Sequence, residues 1–302
     1  MNWRGVFPAA TTQFRADGSL DLAATQASLD ALVREGVHGL VVLGTVGESY
    51  ALEPDEKLKV LAAAREVVAG RVPLLSGVAE AATAAAQRYA LAAERAGVDG
   101  LMVLPSIAYG SRPAETLAHF RAVAAASGLP IMLYNNPIGY RVDVTVEMCA
   151  ALADVATIVA IKESTTDTRR IVDLTNAGLA RRYALFCGVD DIVVECLLLG
   201  AVGWVAGLAN AFPRESVALY ELARTGRVPE ALELYRWFMP LLHLDTLPTL
   251  VQCIKLVQQV TGRGNEAVRL PRLVLEGTER ARVIGLAEAA VATRPDLKSL
   301  GV

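Results

Sequence analysis

Short apolar runs alternate along this chain with longer stretches in which apolar residues recur every three or four positions. The runs at 5–10, 39–43, 73–78, 100–104, 130–134, 157–161, 183–187 and 202–206 have strand length, and several open on glycine or proline. They are apolar throughout and do not alternate with polar residues, which predicts strands buried on both faces of a parallel sheet. The stretches at 20–35, 54–69, 83–96, 113–127, 145–153, 168–177 and 191–199 read as helices. Strands that alternate with helices predict βαβ units. Eight of them point to an α/β fold with a closed (β/α)8 barrel rather than an open sheet. No Gly-x-Gly-x-x-Gly follows the first strand, which argues against dinucleotide binding.

After residue 211 the strands stop, and 213–224, 229–243, 249–261 and 276–293 read as helices. That is more than one closing crossover needs. Residues 1–212 are therefore read as barrel strands and crossovers, and 213–302 as the last barrel helix plus a C-terminal helical extension. The extension is expected to pack on the barrel and to contribute to a subunit interface.

Composition narrows the function. The chain has 302 residues, 53% hydrophobic and 20% charged, enough for one large core. A net charge of -3 without a basic block argues against a nucleic-acid partner. No apolar run is long enough for a membrane span, and the first residues lack an export signal, so a cytoplasmic location is expected. Cys149, Cys187, Cys196 and Cys253 are scattered and read as small core residues. His38, His119 and His243 lie far apart without ligand spacing, so no metal is expected.

In a barrel, chemistry belongs at the carboxyl ends of the strands. The sixth apolar run ends in Ile161-Lys162-Glu163. Burial disfavours the charged form of such a lysine, and a neutral amine attacks carbonyl carbon. A strand-end lysine that snorkels or pairs with Glu163 fits the same segment. The second run is followed by Gly44-Thr45-Val46-Gly47-Glu48-Ser49, a turn whose N–H groups suit a carboxylate, or an ordinary glycine turn. The fifth ends in Tyr134-Asn135-Asn136-Pro137, where a phenol can pass protons or simply fill the core. Asn136 suits the turn before Pro137. The seventh is followed by Gly188-Val189-Asp190-Asp191, with Asp191 placed to cap a helix, and the eighth ends in Val205-Ala206-Gly207.

Together these pieces resemble the dihydrodipicolinate synthase / N-acetylneuraminate lyase family, in its order and spacing and over nearly the whole chain. The resemblance implies a (β/α)8 barrel, a homotetramer or homodimer, and class I aldolase-type chemistry on a small-molecule 2-oxo acid without metal or organic cofactor. Under it Lys162 forms the Schiff base and Tyr134 carries protons. Thr45 hydrogen-bonds Tyr134, and the N–H groups of Thr45 and Val46 bind the substrate carboxylate. Gly47 gives that loop room, and Val205 walls the pocket.

The chain departs from the lysine-pathway enzyme of that family. The second threonine of the glycine loop is here Val46. A tyrosine that closely follows the fourth-strand proline, and that serves a neighbouring subunit, is absent: Pro105 is followed by Ser106-Ile107-Ala108, and Tyr109 comes later. The arginine two residues after the Tyr-Asn-x-Pro proline is replaced by Gly139, with Arg141 further on. Ser106, Tyr109 and Arg141 are candidates for the rebuilt wall. The pattern is more similar to the hydroxyproline-catabolic deaminase branch. There, Lys162 would open 1-pyrroline-4-hydroxy-2-carboxylate, and loss of the hydroxyl and hydrolysis would release ammonia and 2-oxoglutarate semialdehyde. Sugar-acid or N-acetylneuraminate cleavage and dihydrodipicolinate synthesis are the alternatives, with a non-catalytic 2-oxo-acid-binding protein as the reading from another class.

Overall fold

The computed structural model describes residues 3–302. All eight expected strands form: β1 Gly5–Pro8, β2 Leu40–Val42, β3 Leu74–Val78, β4 Gly100–Val103, β5 Ile131–Asn135, β6 Ile158–Glu163, β7 Ala184–Cys187 and β8 Gly203–Ala206. They are parallel neighbours in the order β1-β8-β7-β6-β5-β4-β3-β2. A single parallel bridge between Ala9 and Val41 draws the two ends together, and the Ala10 N–H donates to the Val41 carbonyl at 2.8 Å. The result is a (β/α)8 barrel. The strands are buried on both faces, as their unbroken apolar runs require. Inside the barrel Phe7 and Phe186 meet edge to face, with ring centroids 5.3 Å apart.

The crossovers are α1 Leu22–Arg34, α2 Pro54–Val68, α3 Thr83–Arg95, α4 Pro113–Ala126, a short pair α5 Pro137–Tyr140 and α6 Val146–Ala151, then α7 Arg169–Asn176 and α8 Val193–Leu198. Helix α9, Pro213–Arg224, packs against β1 and β8 and supplies the eighth barrel helix. Helices α10 Val228–Leu242, α11 Leu250–Val260 and α12 Gly277–Ala292 follow, with a 3-10 turn His243–Thr246 between α10 and α11.

Three local readings change. Lys162 stands inside β6, which runs on to Glu163, rather than just past its end. Helix α5 was not read from the sequence; Asn136 caps it by accepting from the Gly139 N–H at 2.8 Å. Asp191 caps no helix. Its carboxylate meets His243 Nδ1 at 2.8 Å and so fastens the His243–Thr246 turn to the loop after β7. Among the described residues no helix is long and apolar enough to cross a membrane. The four cysteines are buried and unpaired.

Candidate active site

A cavity of about 470 Å3 opens at the carboxyl ends of the strands, and Lys162, Tyr134, Thr45, Val46 and Val205 line it. Their convergence follows from register. Tyr134 on β5 stands opposite Lys162 on β6, so both side chains leave the sheet at one height. Lys162 Nζ lies 4.0 Å from the centre of the Tyr134 ring. Lys162 is only 6% exposed, and burial pushes its amine below the usual lysine range. Asp245 pulls the other way, as the largest opposing charge, yet desolvation prevails. Among the described residues Lys162 makes no ion pair with Glu163. The Glu163 carboxylate accepts from Asn135 Nδ2 at 3.0 Å and from the Thr165 N–H at 2.8 Å.

Gly188 makes room for the lysine. A Cβ there would stand 2.7 Å from Lys162 Cε and 2.0 Å from Ser164 Oγ. Ser164 Oγ is buried on the cavity wall and has no hydrogen-bond partner among the described residues. At the opposite wall, neither the Thr45 nor the Val46 N–H has an acceptor among the described residues, which leaves two donors for an anion.

The expected bond from Thr45 to Tyr134 is not formed. Thr45 Oγ1 shares a hydrogen bond with the Tyr140 hydroxyl instead, and Tyr50 donates to that same hydroxyl at 2.9 Å. Tyr134 accepts from Asn136 Nδ2 at 3.1 Å, and the Tyr134 and Tyr140 rings meet edge to face with centroids 5.8 Å apart. The physical reason is helix α5, which swings Tyr140 over the cavity and between the other two. Asn136 thus serves both the turn and the phenol. Burial pushes the hydroxyls of Tyr134 and Tyr140 up to about 12.

Gly47, which the resemblance implied gives the substrate-binding loop room, does not itself line the cavity. A Cβ there would meet Leu43 N at 2.9 Å and the Ala10 carbonyl at 3.0 Å, so it is a packing glycine. Ser106, Tyr109 and Arg141 also lie off the wall. Ser106 donates to the Ala81 carbonyl, Tyr109 reaches out to Glu115, and Arg141 takes a left-handed conformation as it ends α5. Glu48 is wholly buried, with an oxygen 2.8 Å from Lys255 Nζ and another accepting from the Arg269 N–H at 3.0 Å. It ties the glycine loop to α11 and the segment beyond.

Sequence reasoning missed Tyr140, Tyr50, Asp245 and Arg272, all on the cavity wall. Asp245 comes from the His243–Thr246 turn and accepts from the Asp190 N–H at 3.3 Å. Asp190 is fully buried and accepts from Trp204 Nε1 at 2.9 Å and the Leu208 N–H at 2.7 Å, which fixes the end of β8. The only signal for Tyr140 was its nearness to Tyr134; no local pattern marked Asp245 or Arg272.

Comparison with known proteins identifies the family. Residues 2–290 match the model of the dihydrodipicolinate synthetase family. A 4-hydroxy-tetrahydrodipicolinate synthase of Methanothrix thermoacetophila is 34% identical over 288 residues, covering 93% of this chain and 95% of that protein. The structure of 4-hydroxy-tetrahydrodipicolinate synthase from Methylacidiphilum fumariolicum superposes with a TM-score of 0.94 at 27% identity, over 99% of both chains. YagE of E. coli K12, a prophage protein of the dihydrodipicolinic acid synthase family solved in complex with pyruvate, gives 0.91 at 29% identity, over 96% of this chain and 99% of that one.

Proposed function

The chain belongs to the dihydrodipicolinate synthetase family of class I, Schiff-base-forming lyases, and we propose that Lys162 carries the Schiff base to a 2-oxo acid or a cyclic imine. One observation bears most of this reading: a buried amine, depressed by desolvation, lines one cavity with two N–H donors that have no acceptor among the described residues. The substrate carboxylate rests on the Thr45 and Val46 N–H groups, which brings its C2 to Lys162. Attack gives a carbinolamine, and loss of water gives a protonated imine. Tyr134 holds the departing oxygen and passes the proton. Thr45, Tyr140 and Tyr50 form a hydroxyl chain beside it that leads toward the cavity mouth. Val205 fills the wall. The reading includes a homotetramer or homodimer, which light scattering tests.

The substrate we favour carries a hydroxyl two carbons from the imine, as in 1-pyrroline-4-hydroxy-2-carboxylate, so that the enamine expels it. The support is the rebuilt far wall. Val46 offers no hydroxyl, Gly139 offers no side chain, and Asp245 brings a carboxyl. Relatives named 4-hydroxy-tetrahydrodipicolinate synthase favour a second reading, aldol addition of pyruvate to an aldehyde. Incubation with each substrate separates the two. Ammonia released from the cyclic imine supports elimination; condensation of pyruvate with aspartate semialdehyde, without ammonia release, supports the synthase.

A further inference from the structure

Asp245 is the carboxylate on the wall of this cavity, and the formation of the Schiff base leaves it without a chemical role. Its turn crosses the barrel mouth from the C-terminal helices and is fastened there twice. Asp191 holds His243, and the Asp190 N–H holds the Asp245 carboxylate itself. The barrel is trimmed to admit it. A Cβ on Gly207, at the end of β8, would stand 2.6 Å from Asp245 Oδ1, just as one on Gly188 would strike Lys162. Two glycines at neighbouring strand ends thus clear space for one amine and one carboxyl. Lys162 and Asp245 feel each other as their strongest opposite charge. The Asp245 carboxyl is not spent on a guanidinium, and its one hydrogen bond among the described residues is the long one from Asp190.

We propose that Asp245 is the catalytic residue that takes the C3 proton from the imine formed on Lys162 and, where C4 bears a hydroxyl, returns it to the departing oxygen. The proposal rests on the Schiff-base reading of Lys162 and deepens it. In the protonated imine the C3–H bond breaks, and its proton passes to the Asp245 carboxylate. The C–H electron pair becomes the C2–C3 double bond, and the C2–N π pair moves to nitrogen. The C2–C3 pair then forms C3=C4, the nitrogen pair restores C2=N, and the C4–O bond breaks. The oxygen leaves as water with the proton that Asp245 held, so the carboxylate ends as it began. Tyr134, whose hydroxyl burial holds near 12, is suited to give and hold a proton but not to remove one from carbon.

The test uses full-length protein, pyruvate in heavy water and 1-pyrroline-4-hydroxy-2-carboxylate. Asp245→Asn is expected to form the borohydride-trapped adduct on Lys162. Deuterium exchange into the pyruvate methyl, and ammonia release from the cyclic imine, are expected to fall by about 100-fold or more. Asp245→Ala supplies a second variant, in which added formate restores exchange. Exchange in Asp245→Asn within a few-fold of the parent overturns the proposal and leaves the Schiff base standing. Loss of the trapped adduct in both variants also overturns it, since Asp245 would then act by placing Lys162. A parent that neither traps nor exchanges sinks the Lys162 reading and this proposal together. Exchange that depends on Asp245, in a parent that releases no ammonia, supports the proposal and removes only the hydroxylated substrate.

Discussion

Tyr134 and Lys162 face each other across adjacent strands, with the lysine amine 4.0 Å from the centre of the phenol ring. A charged ammonium is welcome over a π face. Burial nonetheless holds this amine below its ordinary range. The ring therefore positions the nitrogen, and burial favours the neutral amine that attack requires.

The phenol chain has a graded role in this account. Tyr134→Phe removes the hydroxyl that meets the departing oxygen, and turnover is expected to fall by about 10²–10⁴-fold while some activity persists. Tyr140→Phe leaves Thr45 and Tyr50 without their shared partner. It is expected to lower kcat by less than Tyr134→Phe and to leave KM nearly unchanged. Steady-state kinetics on the two variants checks the order; a larger loss at Tyr140 would move the main proton carrier to that residue.

The barrel was legible because its strands are buried on both faces, which turns each into an apolar run with abrupt ends. Lys162 stood out for the same reason, as a single amine ending such a run. Tyr140 did not, because its place depends on the α5 turn that Asn136 caps. The family resemblance implied Thr45 and Tyr134 as a bonded pair, and a four-residue helix put Tyr140 between them. Asp245 was hidden more deeply. It reaches the cavity only because the C-terminal helices fold back over the barrel mouth, a long-range return that local periodicity does not encode. Ser106, Tyr109 and Arg141 were sought on the wall from the chain's departures from the family pattern, and their loops point them elsewhere.

The pH profile reads Asp245. Burial raises its carboxyl to about 6, against the pull of Lys162 and the Asp190 N–H and with the push of Asp191. Tyr134 and Asp190 also face it, and His243 on its own turn is paired with Asp191. A base works as the carboxylate, so methyl exchange is expected to rise with pH through about 6 and then level. Stability runs the opposite way. A carboxyl whose folded pKa lies above its unfolded value of 3.8 contributes stability below about 4 and loses it as pH rises to about 6. Asp245→Asn does not titrate, so its Tm is expected to gain on the parent across that window. Calorimetry at several pH values measures it, and a gap independent of pH would contradict the assignment.

Gly188→Ala is expected to abolish most activity without unfolding the barrel. The added methyl would lie within 2.7 Å of Lys162 Cε and 2.0 Å of Ser164 Oγ, so both side chains must shift. A displacement of about 1 Å in a reacting group costs on the order of 10²-fold. Adduct yield with pyruvate, read beside circular dichroism, checks the outcome.

The Glu48–Lys255 pair holds the glycine loop to α11 with both side chains fully buried. Removing one partner leaves the other charge stranded, so Glu48→Gln is expected to destabilise the fold by about 3–5 kcal/mol. The double change Glu48→Leu with Lys255→Met removes both charges and is expected to cost less. Denaturant unfolding of the single and double variants decides between a coupled pair and two independent residues.

The central claim is tested most directly by incubating the protein with pyruvate, reducing with borohydride, and mapping the adduct by mass spectrometry. The account predicts one reduced adduct on Lys162, no adduct in Lys162→Ala, and no turnover by that variant. An adduct on another lysine, or near-normal activity of Lys162→Ala, would contradict it.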